Sequence, residues 1–95
     1  MAAYVILDVE VTDPALYEEY KKLSGPALAS FGGRFLARGG AVEVLEGDWR
    51  PSRVVVAEFP DAAHARAWWT SEIYREAKAI RRSASRGSMI LVEGT

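Results

Sequence analysis

Residues Tyr4 to Val11 alternate. Val5, Leu7, Val9 and Val11 share one side of the chain; Tyr4, Ile6, Asp8 and Glu10 share the other. A period of two predicts a strand with one wholly apolar face. Thr12-Asp13-Pro14 stops it. Asp13 suits an N-cap, and Pro14 suits a first helical residue because its missing N–H would be unpaired there anyway. Leu16, Tyr20 and Leu23 follow at helical spacing, and Ser24-Gly25-Pro26 predicts a break or kink. A short second helix is expected next, with Leu28 and Phe31 inward and Gly32-Gly33 at its end.

Arg34 to Arg38 reads as a strand. Gly39-Gly40 interrupts it, and Ala41 to Glu46 resumes the strand pattern. Gly47 to Ser52 is turn chemistry. Arg53 to Phe59 is the most apolar strand and is expected to be central. Pro60-Asp61 opens a helical region whose stripe is Ala62, Ala65, Trp68 and Trp69. Thr70-Ser71 caps a further helix, with Ile73, Ala77 and Ile80 inward. Arg81-Arg82 lies near its end, where cations suit the helix dipole. Gly87 marks a turn, and Met89 to Val92 is the last strand. The order β-α-β-β-α-β predicts one α+β domain over residues 1–95, a ferredoxin-like split βαβ sandwich. Four antiparallel strands then carry both helical segments on one face. Val54 and Val56 oppose Val55 and Ala57, so the uncovered face is apolar too. Such a face predicts a homodimer, with two sheets packed face to face into an α/β barrel.

Composition narrows the chemistry. The chain has 95 residues, 12 Lys+Arg against 13 Asp+Glu, one His and no Cys. Disulfides, thiolate chemistry and sites needing two imidazoles are excluded. The near-neutral charge argues against nucleic acid as a partner. No apolar run approaches the roughly 20 residues of a membrane span, and no signal-peptide pattern opens the chain, so a cytoplasmic location is the expectation. No phosphate loop, dinucleotide fingerprint or metal motif occurs, so no cofactor is expected.

Phe31-Gly32-Gly33-Arg34-Phe35-Leu36-Ala37-Arg38-Gly39-Gly40, then Glu46-Gly47-Asp48-Trp49-Arg50-Pro51, Glu58-Phe59-Pro60, Trp68 and Ser71-Glu72-Ile73-Tyr74 resemble the family called Domain of Unknown Function 1330. The resemblance covers nearly the whole chain and implies the dimeric α/β-barrel superfamily. It implies no reaction. Relatives in that superfamily include cofactor-free monooxygenases, haem-degrading enzymes, chlorite dismutase-like proteins and lactone isomerases. In several of them the ligand lies between helices and sheet.

Few residues remain to carry chemistry. Glu58, inside the apolar strand, is either paired with an Arg (Arg38, Arg53 or Arg81) or a pocket base with a raised pKa. Tyr20 and Tyr74 are the other proton-transfer candidates. Arg38 beside Gly39 is either an anion holder, with the glycine admitting the ligand, or a structural ion pair. Trp68 and Trp69 are adjacent and point about 100° apart on a helix, so one of them is free to line a pocket or reach a partner. Trp49, in a turn, fits burial against a second subunit. Arg34, Arg50 and Arg53 are expected to pair with Glu43, Glu46 and Asp48. His64 is expected at the surface. The reading is a small homodimer whose cleft between helices and sheet binds a small apolar or aromatic molecule. It is either a cofactor-independent oxygenase or isomerase, or a non-enzymatic binding or accessory dimer.

Overall fold

A computed structural model describes all 95 residues. The elements run β1 (Ala3–Val11), α1 (Pro14–Ala29), β2 (Arg34–Arg38), β3 (Arg53–Phe59), α2 (Ala62–Trp69), α3 (Glu72–Ala84) and β4 (Ser85–Glu93). The sheet order is β2-β3-β1-β4, with every neighbouring pair antiparallel. This is the predicted ferredoxin-like arrangement, and β1 and β3 are its central strands.

The helices begin where side-chain caps are available. Asp13 accepts from Leu16 N at 3.1 Å, Asp61 from His64 N at 2.8 Å, and Ser71 Oγ from Tyr74 N at 3.1 Å. Each cap satisfies an amide that has no partner within its helix. The helices bury the alternate strand residues Val5, Leu7, Val9, Val55, Ala57 and Phe59. The opposite face is open. It carries Tyr4 and Ile6, Val54 and Val56, and Ile90 and Val92, the last two 54% and 42% exposed.

Several local expectations fail for identifiable reasons. The break at Ser24-Gly25-Pro26 does not occur, because α1 runs through it. Pro26 lies on the exposed side, where water can take the carbonyl it leaves without a donor. On the inner side Ser24, Ala27 and Leu28 are buried, and their packing holds the helix together. No strand forms over Ala41–Glu46; residues 39–52 are irregular. A period-two pattern makes a strand only where a partner is within reach. Gly39 turns the chain away from the sheet, with φ +78°, and its N donates to Val54 O at 3.0 Å. A Cβ there would also collide with the Arg53 guanidinium.

Gly87 does not mark a turn. It sits inside β4 opposite Val9, where a Cβ would collide with the main chain of Asp8 and Val9. A glycine in a strand interior here records close backbone approach. The true turn is abrupt: α3 passes straight into β4, and Ala84 O accepts from Thr12 N and Asp13 N at 2.8 and 3.0 Å. Ile73 is 57% exposed rather than inward, and Leu23 is 38% exposed. The inner face of α3 is Tyr74, Ala77, Arg81 and Ala84: Ala77 is inward as expected and Ile80 packs against the core, while Tyr74 takes the place expected of Ile73.

Gly87→Ala is expected to cost about 2 kcal/mol, because the new methyl meets main chain rather than a side chain that can move. That corresponds to a melting temperature lower by roughly 10 °C. Thermal unfolding followed by circular dichroism checks it, and an unchanged melting temperature would refute the close-approach reading.

Candidate functional site

Three helices bring their large aromatic side chains to one seam. Tyr20 of α1 and Tyr74 of α3 touch through their hydroxyls at 2.9 Å. The Tyr74 ring lies 4.2 Å from Trp68 of α2, and Trp68 lies 5.4 Å from Phe59 of β3. Trp69 completes the group at 6.2 Å from Tyr74. Burial pushes the Tyr20 phenol far above its ordinary value, and the neighbouring Tyr74 hydroxyl adds to the rise. A phenol so placed stays protonated near neutral pH and cannot act as a base there. Beneath α1 the interior is almost full. One space of about 10 Å³ lies against Tyr17, Tyr20, Ser24, Phe35, Arg38 and Val55, and another of about 20 Å³ against Tyr20, Leu28, Phe35, Ala57, Trp68 and Met89. That is room for a water, not for a ligand.

The usable space lies at the other side of the same layer. Between α2 and the edge strand β4 an open groove of about 300 Å³ is lined by Val5, Ala65, Trp68, Trp69, Met89 and Leu91, with Arg66 and Ile90 on its rim. It exists because α2 has 8 residues and does not reach across β4. Leu91, on the helix side of the sheet, is consequently 36% exposed. Trp68 is buried, and its indole N–H has no acceptor. An apolar concavity with one or two polar groups at its wall is the usual form of a small-molecule site.

The other sequence candidates lie elsewhere. Arg38 is on the helix side of β2, at the opposite edge of the sheet from the groove. Its Nη2 donates to Lys21 O at 3.1 Å and Ser24 Oγ at 3.3 Å, and its guanidinium covers the Phe35 ring at 4.2 Å. Gly39 serves the turn beside it. Glu58 is on the open sheet face. Arg34 reaches its Oε1 with Nε at 2.8 Å and Nη2 at 2.7 Å. That hydrogen bonding holds the Glu58 carboxyl below its ordinary range, the reverse of what a pocket base needs. Glu58 and the Tyr20–Tyr74 pair are therefore on opposite sides of the sheet and do not converge within one chain.

The expected arginine pairs also differ. Arg34 takes Glu58, Arg53 lies over the Tyr17 ring at 5.6 Å, and Arg50 donates to Gly47 O at 3.0 Å. His64 is at the surface as expected, its Nδ1 2.7 Å from Asp61 Oδ1. Trp49 is 61% exposed and donates to Asp8 Oδ2 at 2.8 Å. Of the sequence candidates, Trp68 and Trp69 line the groove. Sequence reasoning missed Val5, Ala65, Met89 and Leu91 as their companions. The available signal was the short apolar stripe ending at Trp69, too short to cover a nine-residue strand.

A family model described as a domain of unknown function, DUF1330, matches residues 2–95. A search of curated proteins finds no match. Among solved structures the chain is similar to RPA0582, a protein of unknown function from Rhodopseudomonas palustris. The TM-score is 0.77 at 22% identity, covering 99% of this chain and 82% of that one. It is similar to SnoaB from Streptomyces nogalater, described as a cofactor-independent oxygenase. There the TM-score is 0.67 at 19% identity, covering 99% and 92%. A dimeric ferredoxin-like protein of unknown function from Jannaschia sp. CCS1 matches with TM-score 0.65 and 13% identity, covering 100% and 99%. At these identities the likeness shows the fold alone. No helix is long and apolar enough to cross a membrane.

The Tyr20 environment has a pH consequence. Its pKa is raised on folding, so its contribution to stability is complete below the ordinary value of 10.0 and is lost as pH rises above it. In that window the unfolded chain ionises the phenol and the folded chain does not. Urea unfolding from pH 8 to 11 is expected to show stability falling more steeply in the parent than in Tyr20→Phe. Parallel curves would refute the assignment.

Proposed function

Because the chain belongs to the DUF1330 family, which carries no assigned reaction, its function has to be argued from its own geometry; we propose that it is a homodimeric protein that binds a small apolar or aromatic molecule in the α2–β4 groove. The observation that carries this reading is the groove itself, with two tryptophans, Met89 and Leu91 around a space large enough for a fused aromatic ring system. A monomer that left this groove and the open sheet face in water would expose an unusually large apolar surface.

The homodimer rests on that open face. Ile6, Val56, Ile90 and Val92 form an apolar band, and the exposed Val42, Val44, Leu45 and Trp49 flank it in sequence as a loop with little else to cover it. The fold likeness to a dimeric ferredoxin-like protein supports the same reading. Cofactor-free oxygenation or isomerisation of the bound molecule would be its catalytic form, and SnoaB, alike in fold, is described as a cofactor-independent oxygenase. Either reaction needs a base at the ligand to generate a carbanion. Neither Glu58 nor Tyr20 supplies one at the groove, so binding is the primary reading.

Thermal-shift and calorimetric screening against neutral fused aromatics such as naphthamide is expected to give saturable binding. Leu91→Trp, which fills the groove from the exposed edge strand, is expected to abolish it with the fold intact. Binding unaffected by Leu91→Trp would move the site elsewhere. For the assembly, sedimentation is expected to give a dimer at micromolar concentration and a monomer for Ile6→Asp. A parent chain that sediments as a monomer would sink the face-to-face dimer.

A further inference from the structure

The groove does not end at Trp69. Trp69 and Met89 are shared with an adjoining concavity of about 350 Å³ whose other walls are Arg81, Arg82, Ser85, Arg86 and Gly87. An apolar trough and a basic one thus share two wall residues. Lys78 adds a further cation at the junction. Its Nζ donates to Trp69 O at 2.7 Å and stands 4.1 Å above the Trp69 ring, while the Arg82 guanidinium lies 5.7 Å from the same ring.

These cations are mostly uncompensated. The ion pairs of the structure involve Lys21, Lys22, Arg34, His64, Arg75 and Arg86, and none involves Lys78, Arg81 or Arg82. Arg86 meets Glu10 at 3.3 Å on the open face of the sheet, and the Asp13 carboxylate beside the end of α3 caps Leu16 N. Desolvation, followed by repulsion from Arg82 and Arg81, holds the Lys78 ammonium below its ordinary value. Arg81 is the most unusual member. It is only 7% exposed, and its Nε is sealed from solvent with no hydrogen-bond partner. A buried guanidinium without a carboxylate is costly, and surrounding structure normally supplies the missing partner.

We propose that the groove takes an aromatic carboxylate, with the ring system between Trp68, Trp69, Met89 and Leu91 and the carboxylate on Arg81 at the basic end. This rests on the groove-binding reading above and adds the charge of the ligand. The planar guanidinium fork matches a carboxylate in a way that a point cation does not. Arg82 and Lys78, stacked on Trp69, raise the local positive potential and draw the anion to that end.

The test compares naphthoate with naphthamide, two probes of the same ring and size that differ in charge. Calorimetry on the full chain is expected to show naphthoate binding about tenfold more tightly or better. In Arg81→Gln that preference is expected to collapse, with naphthamide affinity unchanged. Should Arg81→Gln fail to fold, Arg82→Gln, at an exposed position, is expected to narrow the preference severalfold. Equal affinity of the two probes for the parent chain overturns the carboxylate assignment and leaves the groove reading standing. A preference that survives unchanged in both variants also overturns it. Binding of neither probe overturns both readings.

Discussion

The buried contacts of Tyr74 fix the arrangement of every layer. Its ring packs on Trp68, Trp68 packs on Phe59 of the sheet, and its hydroxyl meets Tyr20 of α1. One side chain thereby ties the sheet, α2, α3 and α1 together. The rest of the inner face of α3 is small at Ala77 and Ala84. Small residues let α3 approach α1 closely, and Tyr74 and Arg81 are the bulky members of that face. The Tyr74 hydroxyl would be a buried orphan without Tyr20, and a half-satisfied polar pair here would cost more than an apolar one. The seam fills the interior under α1 and leaves the free space at the edge, between α2 and β4.

That displacement separates packing from chemistry. A cleft between helices and sheet was a reasonable expectation of this fold, but the central part of that layer is occupied by aromatic rings. The polar groups divide by sheet face. Glu58 and Arg34 neutralise each other on the open side, while Arg38 is held against α1 by Lys21 O and Ser24. What remains on the groove side is two indoles, a thioether, aliphatic wall and, at one end, cations. Such a set can hold and orient a molecule. It offers no carboxylate or imidazole to take a proton from it.

Most of the architecture was legible because it depends on local signals. Alternation in β1, the capping residues Asp13, Asp61 and Ser71, and the apolar run of β3 each need only a few neighbouring residues to act. The failures came where distant contacts decide. Pro26 breaks a helix in isolation, yet here it faces water while Ser24, Ala27 and Leu28 are held by the core. Ala41–Glu46 has a strand's pattern, yet it leaves the sheet at Gly39 and pairs with no strand. Gly87 resembles a turn until the backbone of Asp8 is placed against it. Trp68 and Trp69 could be picked out as pocket candidates because adjacency forces one of them off the core stripe. Their companions on β4 could not, since which strand lies uncovered follows from the length and angle of α2.

Arg81 illustrates the same limit from the other direction. Read in sequence, Arg81-Arg82 is a pair of cations suited to a helix C-terminus, and Arg82 fits that description. Yet Arg81 falls in the register of Tyr74, Ala77 and Ala84, on the face that the helix buries. A charge in an apolar stripe is expensive unless something opposes it. Most buried arginines answer this with a carboxylate from the same chain. Here the charged groups that act with it are Lys78 and Arg82, which make the deficit larger, and the Tyr20 hydroxyl is the neutral group its charge reaches. Helix-dipole complementarity alone would be met equally well by a residue one position earlier or later, facing water. The burial of this particular guanidinium, in the basic concavity that shares Trp69 and Met89 with the apolar groove, is what the proposed carboxylate would answer, and the register of Arg81 is the feature in the sequence that records it.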